Sequence, residues 1–325
     1  MVRERPVGGA EVTARPGCGP HLYGRGVAKG GARGVIMWVM SAQRDTETPA
    51  ATSVVVGGRY ELVELIGSGA MGSVFAAQDL RDERLVALKR LHAQRADDDT
   101  ARHRFEAEAR TLRQLSHPGL PQVYDVGEDD DGIAVQPYLA MRLVTGDTLG
   151  ELVTERGPLP PLEVAGLVAK LASALSAVHA AGVVHRDIKP ANIVVGESGQ
   201  PVLVDFGIAT GDDIEPLTST GEVLGTMEYI SPEQVSGRRA TAASDVYSLG
   251  VVAFQCLTGV KPFQRESPVA SALAHLNDPA PDLPPSVDRR LGETVQRMLA
   301  KDPADRPLAA DVARLLERVL ARRRR

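Results

Sequence analysis

The chain has 325 residues, 43% hydrophobic and 24% charged, an ordinary globular balance with enough apolar material for one large domain or two lobes. A formal net charge of −5 supplies no overall basic field, so composition gives non-specific nucleic-acid binding no support. The two cysteines, Cys18 and Cys256, lie far apart without CxxC spacing, which argues against a disulfide framework or a zinc site and for a reducing, cytoplasmic compartment.

The first 39 residues carry six basic and two acidic side chains and are punctuated by glycine. Such a segment buries too little apolar surface to offset its ordering entropy, so residues 1–58 are expected to be a disordered extension and linker, with Met40 as an alternative start. The apolar stretch "GVIMWVM" at 34–40 is far shorter than the roughly 18 residues a membrane span needs, and it comes too late and too close to charge for a secretory signal. No span is expected anywhere in the chain.

From Arg59 the pattern changes. "RYELVELIGSGAMGSVFAAQD" reads as two strands joined at a glycine loop, "RLVALKRL" as a third, and "TARHRFEAEARTLRQL" as a helix. "QVYDVGED" and "GIAVQPYLAM" add two strands. Beyond Leu149 the helical period dominates, in "LEVAGLVAKLASALSAVHAAG", "ASDVYSLGVVAFQCLTG", "LGETVQRMLAKD" and "LAADVARLLERVLA". A small, mostly antiparallel β lobe with one helix thus precedes a larger α lobe, an α+β arrangement whose crevice is the natural ligand site. "ARRRR" at 321–325 reads as a basic tail.

Three groups of residues carry chemistry. In Ile66–Gly67–Ser68–Gly69–Ala70–Met71–Gly72–Ser73–Val74 the glycines are followed by strand, not helix, so they occupy a hairpin tip able to fold over phosphates rather than a dinucleotide turn. In "LVALK" the two-residue period puts Ala87 and Lys89 on one face, and the apolar neighbours of Lys89 require an anionic partner. The helix offers Glu108, which falls inside the apolar stripe of Phe105, Ala109, Leu112 and Leu115. Finally, "HRDIKPAN" and "PVLVDFG" deliver Asp187, Asn192 and Asp205 from two adjacent turns as hard oxygen donors suited to magnesium that also holds phosphate.

Taken in this order, with "GTMEYISPE" and "SDVYSLG" after them, these motifs resemble the bacterial eukaryotic-like serine/threonine protein kinases over residues 59–320. The resemblance implies a bilobal fold with an N-lobe at 59–141, a hinge at 142–144 and a C-lobe at 145–320. It implies that ATP binds beneath residues 66–74, beside Ala87, Met141 and Leu143, with Lys89 held by Glu108 on the α- and β-phosphates. Asn192 and Asp205 would bind Mg2+, or Mn2+ as the alternative. Asp187 would take the substrate hydroxyl proton and Lys189 would neutralise charge on the transferring phosphoryl group. Lys189 and Thr226 resemble the serine/threonine class, so the implied partners are protein substrates.

By the same resemblance, Glu233 and Arg306 would form a buried pair, and Asp245 would cap the catalytic turn. Thr218 and Thr220 would be autophosphorylated in the activation loop, where phosphate could pair with Arg186. Pairing of two copies through the small lobes, seen in some relatives of this type, is compatible with it. The departures are slight: Leu88 where isoleucine is common, Ser231 where alanine is common, and Arg142 where the hinge often has glutamate. Two other readings share the fold, a nucleotide-binding scaffold without transfer and a small-molecule phosphotransferase. The presence of Lys89, Asp187, Asn192 and Asp205 disfavours the first, and "GTMEYISPE" disfavours the second.

Overall fold

The computed structural model describes residues 54–69, 72–92, 98–130, 132, 134–205 and 227–323. Contacts divide the chain into Met1–Ala51 and Thr52–Arg325, and every described residue lies in the second unit.

Six strands form the small lobe: β1 (Val55–Val56), β2 (Tyr60–Gly69), β3 (Gly72–Asp79), β4 (Arg84–Leu91), β5 (Val123–Asp130) and β6 (Val135–Arg142). They make an antiparallel sheet in the order β1-β2-β3-β4-β6-β5. The fold therefore begins before Arg59, at residues expected to belong to the disordered linker. Val56 pairs with Tyr60 and is fully buried, and the turn between them needs left-handed backbone at both Gly57 and Gly58. A two-residue strand gives no periodic signal, so alternation could not reveal it.

The two faces of the sheet follow the side-chain alternation of β4. Val86 and Leu88 pack outward with Tyr60, Ala77, Tyr138 and Ala140. Ala87 and Leu91 point the other way, into the main core with Phe105, Ala109 and Leu112 of helix α1 (Asp99–Arg113). The apolar stripe expected of that helix is thus its buried face. Leu85, next to Ala87 on the same strand face, is 46% exposed, because the core does not extend to the end of the strand.

The large lobe is mainly helical: α2 (Leu149–Arg156), α3 (Pro161–Ala180), α4 (Pro232–Val235), α5 (Ala242–Thr258), α6 (Pro268–Asn277), α7 (Arg289–Met298) and α8 (Ala309–Arg323). A small sheet, β7 (Asp147–Thr148), β8 (Ile193–Val195) and β9 (Pro201–Leu203), lies at its upper edge. Helix α3 is long and apolar enough by length and composition to cross a membrane, a feature the sequence reading did not single out. Here it is a core element, with Val164, Leu167, Val168, Leu171, Leu175 and Val178 buried against the rest of the lobe. Each such side chain contributes about 1.5–3 kcal/mol through removal from water. Helix α8 runs through Arg323, so residues 321–323 continue a helix and are not the tail that composition suggested.

Candidate active site

The roof of the crevice is the β2–β3 hairpin. Gly67 pairs with Val74, Ser68 with Ser73 and Gly69 with Gly72, which carries both strands to the tip as expected; Ala70 and Met71 lie outside the described residues. The glycines differ in what requires them. A Cβ on Gly72 would sit 2.3 Å from the Arg90 carbonyl oxygen, so close approach of β4 demands glycine there. At Gly69 a Cβ would meet nothing within 4 Å, and at Gly67 only the Val74 Cβ at 4.0 Å. Among the described residues no atom requires glycine at those two positions, which suits a loop whose backbone must lie close on a ligand.

Beneath the hairpin, Val74, Ala87, Met141 and Leu143 belong to the same apolar cluster as Leu203 of the large lobe. Met141 sits opposite Ala87 in the sheet, in front of a small cavity lined by Leu112, Leu115, Leu120, Val123 and Leu139. Arg142 closes β6, its backbone N–H donating to the Gln122 carbonyl and its guanidinium to the Leu120 carbonyl.

Lys89 is buried on β4, and its Nζ donates to Asp205 Oδ1 at 2.5 Å, which ties the sheet to the large lobe. The side chain of Glu108, its expected partner, lies outside the described residues, although α1 runs through that position. Burial pushes the Asp205 carboxyl up, but the charge and hydrogen bond of Lys89, with His185 and Lys189 nearby, outweigh this and hold it below the usual carboxylate range.

Asp187, Lys189 and Asn192 converge on one turn. Asn192 Nδ2 donates to the Asp187 backbone oxygen at 2.9 Å and to its Oδ2 at 2.8 Å, and Lys189 Nζ lies 2.7 Å from the same Oδ2. Asp187 Oδ1 is buried with no hydrogen-bond partner among the described residues. The β8–β9 hairpin brings Asp205 alongside: Ile193 pairs with Leu203, and the Val204 N–H donates to the Asn192 carbonyl at 2.9 Å.

The turn is held from below by Asp245 on α5, almost fully buried. Its Oδ2 accepts from the His185 N–H and its Oδ1 from the Arg186 N–H, each at 2.8 Å. Arg186 takes φ +70° and Asp205 φ +57°, left-handed backbone that non-glycine residues hold only where surrounding bonds over-determine it. The polar, proline-bearing turn of the sequence thus exchanges hairpin hydrogen bonds for side-chain anchors that aim Asp187 and Asn192 at the crevice.

The protein kinase domain model matches residues 60–315. The chain belongs to this family. Among similar proteins, the serine/threonine-protein kinase PknA of Mycobacterium tuberculosis is 42% identical over 254 residues, covering 78% of this chain and 59% of PknA. The probable serine/threonine-protein kinase PknB of Corynebacterium glutamicum is 43% identical over 276 residues, 80% of this chain and 43% of the relative. The serine/threonine-protein kinase PrkC of Bacillus subtilis is 41% identical over 254 residues, 77% of this chain and 39% of the relative. The chain therefore spans between about two fifths and three fifths of the length of these relatives.

In this kinase domain the expected Glu233–Arg306 pair is bidentate, with N–O distances of 2.7 and 2.8 Å, and the Ser244 hydroxyl donates to Glu233 at 2.6 Å. Arg306 also donates to the Ala243, Ala300 and Lys301 carbonyls, so one guanidinium joins α5 to the turns before α8. Thr218, Thr220 and Thr226 lie outside the described residues, as do Phe206 and Gly207. One supporting residue escaped the sequence reading: His179, at the end of α3, places Nε2 2.8 Å from Asp245 Oδ2. Its only signal is a lone histidine in an apolar helix, a pattern that buried core histidines share.

Proposed function

We propose that this chain transfers the γ-phosphoryl group of ATP to serine and threonine hydroxyls of proteins. The observation that carries the proposal is the state of Asp187: one carboxylate oxygen is held by Lys189 and Asn192, and the other, buried, has no hydrogen-bond partner among the described residues. That free oxygen is suited to accept a hydroxyl proton, while the Lys189 ammonium stands where charge on a transferring phosphoryl group is neutralised. Lys89, paired with Asp205, is the cation for the inner phosphates, and Glu108 is its proposed partner on α1 when nucleotide and metal engage Asp205.

Protein kinases work with ATP and a divalent metal ion, and the donor set here fits one. Asn192 commits its amide nitrogen to Asp187, so its oxygen is the atom left to coordinate, and Asp205 is kept ionised by its surroundings. Two hard oxygens favour Mg2+, with Mn2+ as the alternative, and the ion supplies charge neutralisation on the phosphates. Residues 66–74 would cover those phosphates, and Ala87, Met141 and Leu143 would flank adenine. Phosphorylation of Thr218 or Thr220 would act on the activation loop through Arg186, and mass spectrometry after incubation with Mg-ATP reads it directly. The proposed compartment is the cytoplasm, where a free thiol such as that of Cys256 stays reduced.

The test follows label from γ-labelled ATP into protein or into small acceptors, with the wild type and with Asp187→Ala. Label in protein that disappears in the variant supports transfer to protein. Nucleotide binding without any transfer by the wild type would establish a scaffold instead, and label only in a small acceptor a different phosphotransferase.

A further inference from the structure

The large lobe carries a second feature, far in sequence from the motifs above. Helices α7 and α8 pack together, and between them runs a groove of about 640 Å3. Arg290 and Arg297 line it from α7, and Arg318 and Arg322 from α8, with Thr294 and Leu315 among its other lining residues. The spacing is helical: seven residues bring Arg290 and Arg297 to one face about 10 Å apart along the axis, and four residues do the same for Arg318 and Arg322 at about 6 Å. Glu293 also lines the groove, but it is already paired with Arg289 at 3.1 Å. None of the four lining arginines makes a salt bridge among the described residues, whereas their neighbours Arg289 and Arg314 each have a carboxylate on the same helix. Four guanidinium groups left unneutralised around one concavity repel each other. An anionic ligand relieves that cost.

We propose that this groove docks a phosphorylated segment of the protein substrates, so that a site already modified holds the substrate while another hydroxyl reaches Asp187. The proposal rests on the protein-kinase activity inferred above. Charge complementarity selects the ligand class. Neither α7 nor α8 contains a lysine, and arginine's planar fork is the group that grips a phosphate with two parallel hydrogen bonds, where a diffuse attraction to an anionic surface would accept lysine equally. A phosphate monoester brings close to two negative charges and three acceptor oxygens to such a pair. The site is also concave and of ligand size, whereas a bilayer is met by a protruding face with apolar side chains to insert. Here Leu315 is half-buried at the groove wall, not presented to a membrane.

The experiment measures anisotropy of a fluorescent peptide bearing two phosphothreonines against its unphosphorylated twin, with the full chain and without ATP. At least about tenfold tighter binding of the phosphorylated form is expected, weakening as salt rises. The preference should vanish in Arg297→Gln/Arg318→Gln and persist in Arg314→Gln, whose side chain is exposed and paired outside the groove. Circular dichroism of the double variant, and its unchanged phosphorylation of an unphosphorylated test protein, would separate lost docking from lost folding. Asp187→Ala should bind the phosphopeptide normally while transferring nothing; a wild type that prefers the phosphopeptide yet transfers no label to protein would count against the activity and leave the groove standing. Equal affinity for both peptides would overturn the proposal. So would binding to phosphatidylserine-rich vesicles or to inorganic polyphosphate, abolished by the same double substitution, in the absence of phosphopeptide preference.

Discussion

At the scale of single residues, the crevice separates positions fixed by packing from positions fixed by a ligand. Asp187→Asn preserves the shape of the side chain and removes both its charge and its capacity to take a proton. A fall in kcat of roughly 10²–10⁴-fold is expected, with KM for ATP little changed, because Asp187 belongs neither to the glycine hairpin nor to the proposed adenine site. Steady-state kinetics decide it, and an unchanged kcat would remove Asp187 from the role of base. The glycines make a sharper pair. Gly72→Ala forces a Cβ to within 2.3 Å of the Arg90 oxygen, so β3 or β4 must shift, and a loss of about 1–3 kcal/mol of stability is expected from overpacking. Gly69→Ala meets no atom of the described residues, so its melting temperature should match the wild type while KM for ATP rises. Had both variants behaved alike in thermal melts, the steric distinction between them would be wrong.

At the scale of elements, the active turn is held by contacts reaching it from α5, and α5 in turn by Arg306. Glu233 and Arg306 are both buried, and breaking such a pair from one side leaves an uncompensated charge. Arg306→Met should therefore cost about 3–5 kcal/mol in urea unfolding. Adding Glu233→Gln to that variant should restore part of the loss, since the stranded carboxylate is what hurts; an additive double variant would refute this account. These elements also show what the sequence could and could not convey. Helices α1, α3, α5, α7 and α8 announce themselves by an apolar stripe of several turns, and the site residues by motifs whose side chains have few structural uses. Helix α2 is only eight residues long, and its clearest sign is a capping box in which the Thr148 and Glu151 side chains bond each other's backbone N–H. Strands β1 and β7 have two residues each and exist only through pairing. The Lys89–Asp205 pair depends on how the lobes close, which no local pattern encodes.

At the scale of the whole molecule, buried histidines make the large lobe sensitive to mild acid. His275 lies on α6, with Nδ1 3.0 Å from the Tyr247 hydroxyl and Nε2 3.0 Å from the Glu228 carbonyl oxygen. The carbonyl requires a proton on Nε2, so Nδ1 is the acceptor of the neutral ring. The Phe263 ring centroid is 4.7 Å away, and the Lys301 ammonium lies 3.9 Å above that ring. Burial first, then the Lys301 charge, lowers the pKa of His275 to about 4, against a partial opposing effect of the Glu228 carbonyl. Burial also lowers the pKa of His117 and of His185. A depressed histidine takes its proton in the unfolded chain before the folded one. Between pH 6.5 and 4 the unfolded state therefore binds more protons, and stability falls as pH falls through that window. For His275 the full effect is on the order of 3 kcal/mol. Asp205 and Glu233, whose pKa values are lowered, add their losses only below the ordinary carboxylate range, so the histidines govern the first part of the decline. Lys301, brought down to about 8 by burial, works at the opposite end, since its contribution to stability rises with pH between 8 and 10.5. Thermal melts from pH 7 to pH 4.5 should show a steady drop in Tm for the wild type. His275→Asn should start lower at pH 7, having lost the Tyr247 bond and the ring packing, yet decline less steeply, because one of the three imidazoles with a lowered pKa is gone. Parallel slopes for the two proteins would mean that His275 titrates in the folded state much as it does in the unfolded chain, and that the cluster around Tyr247 admits its charge.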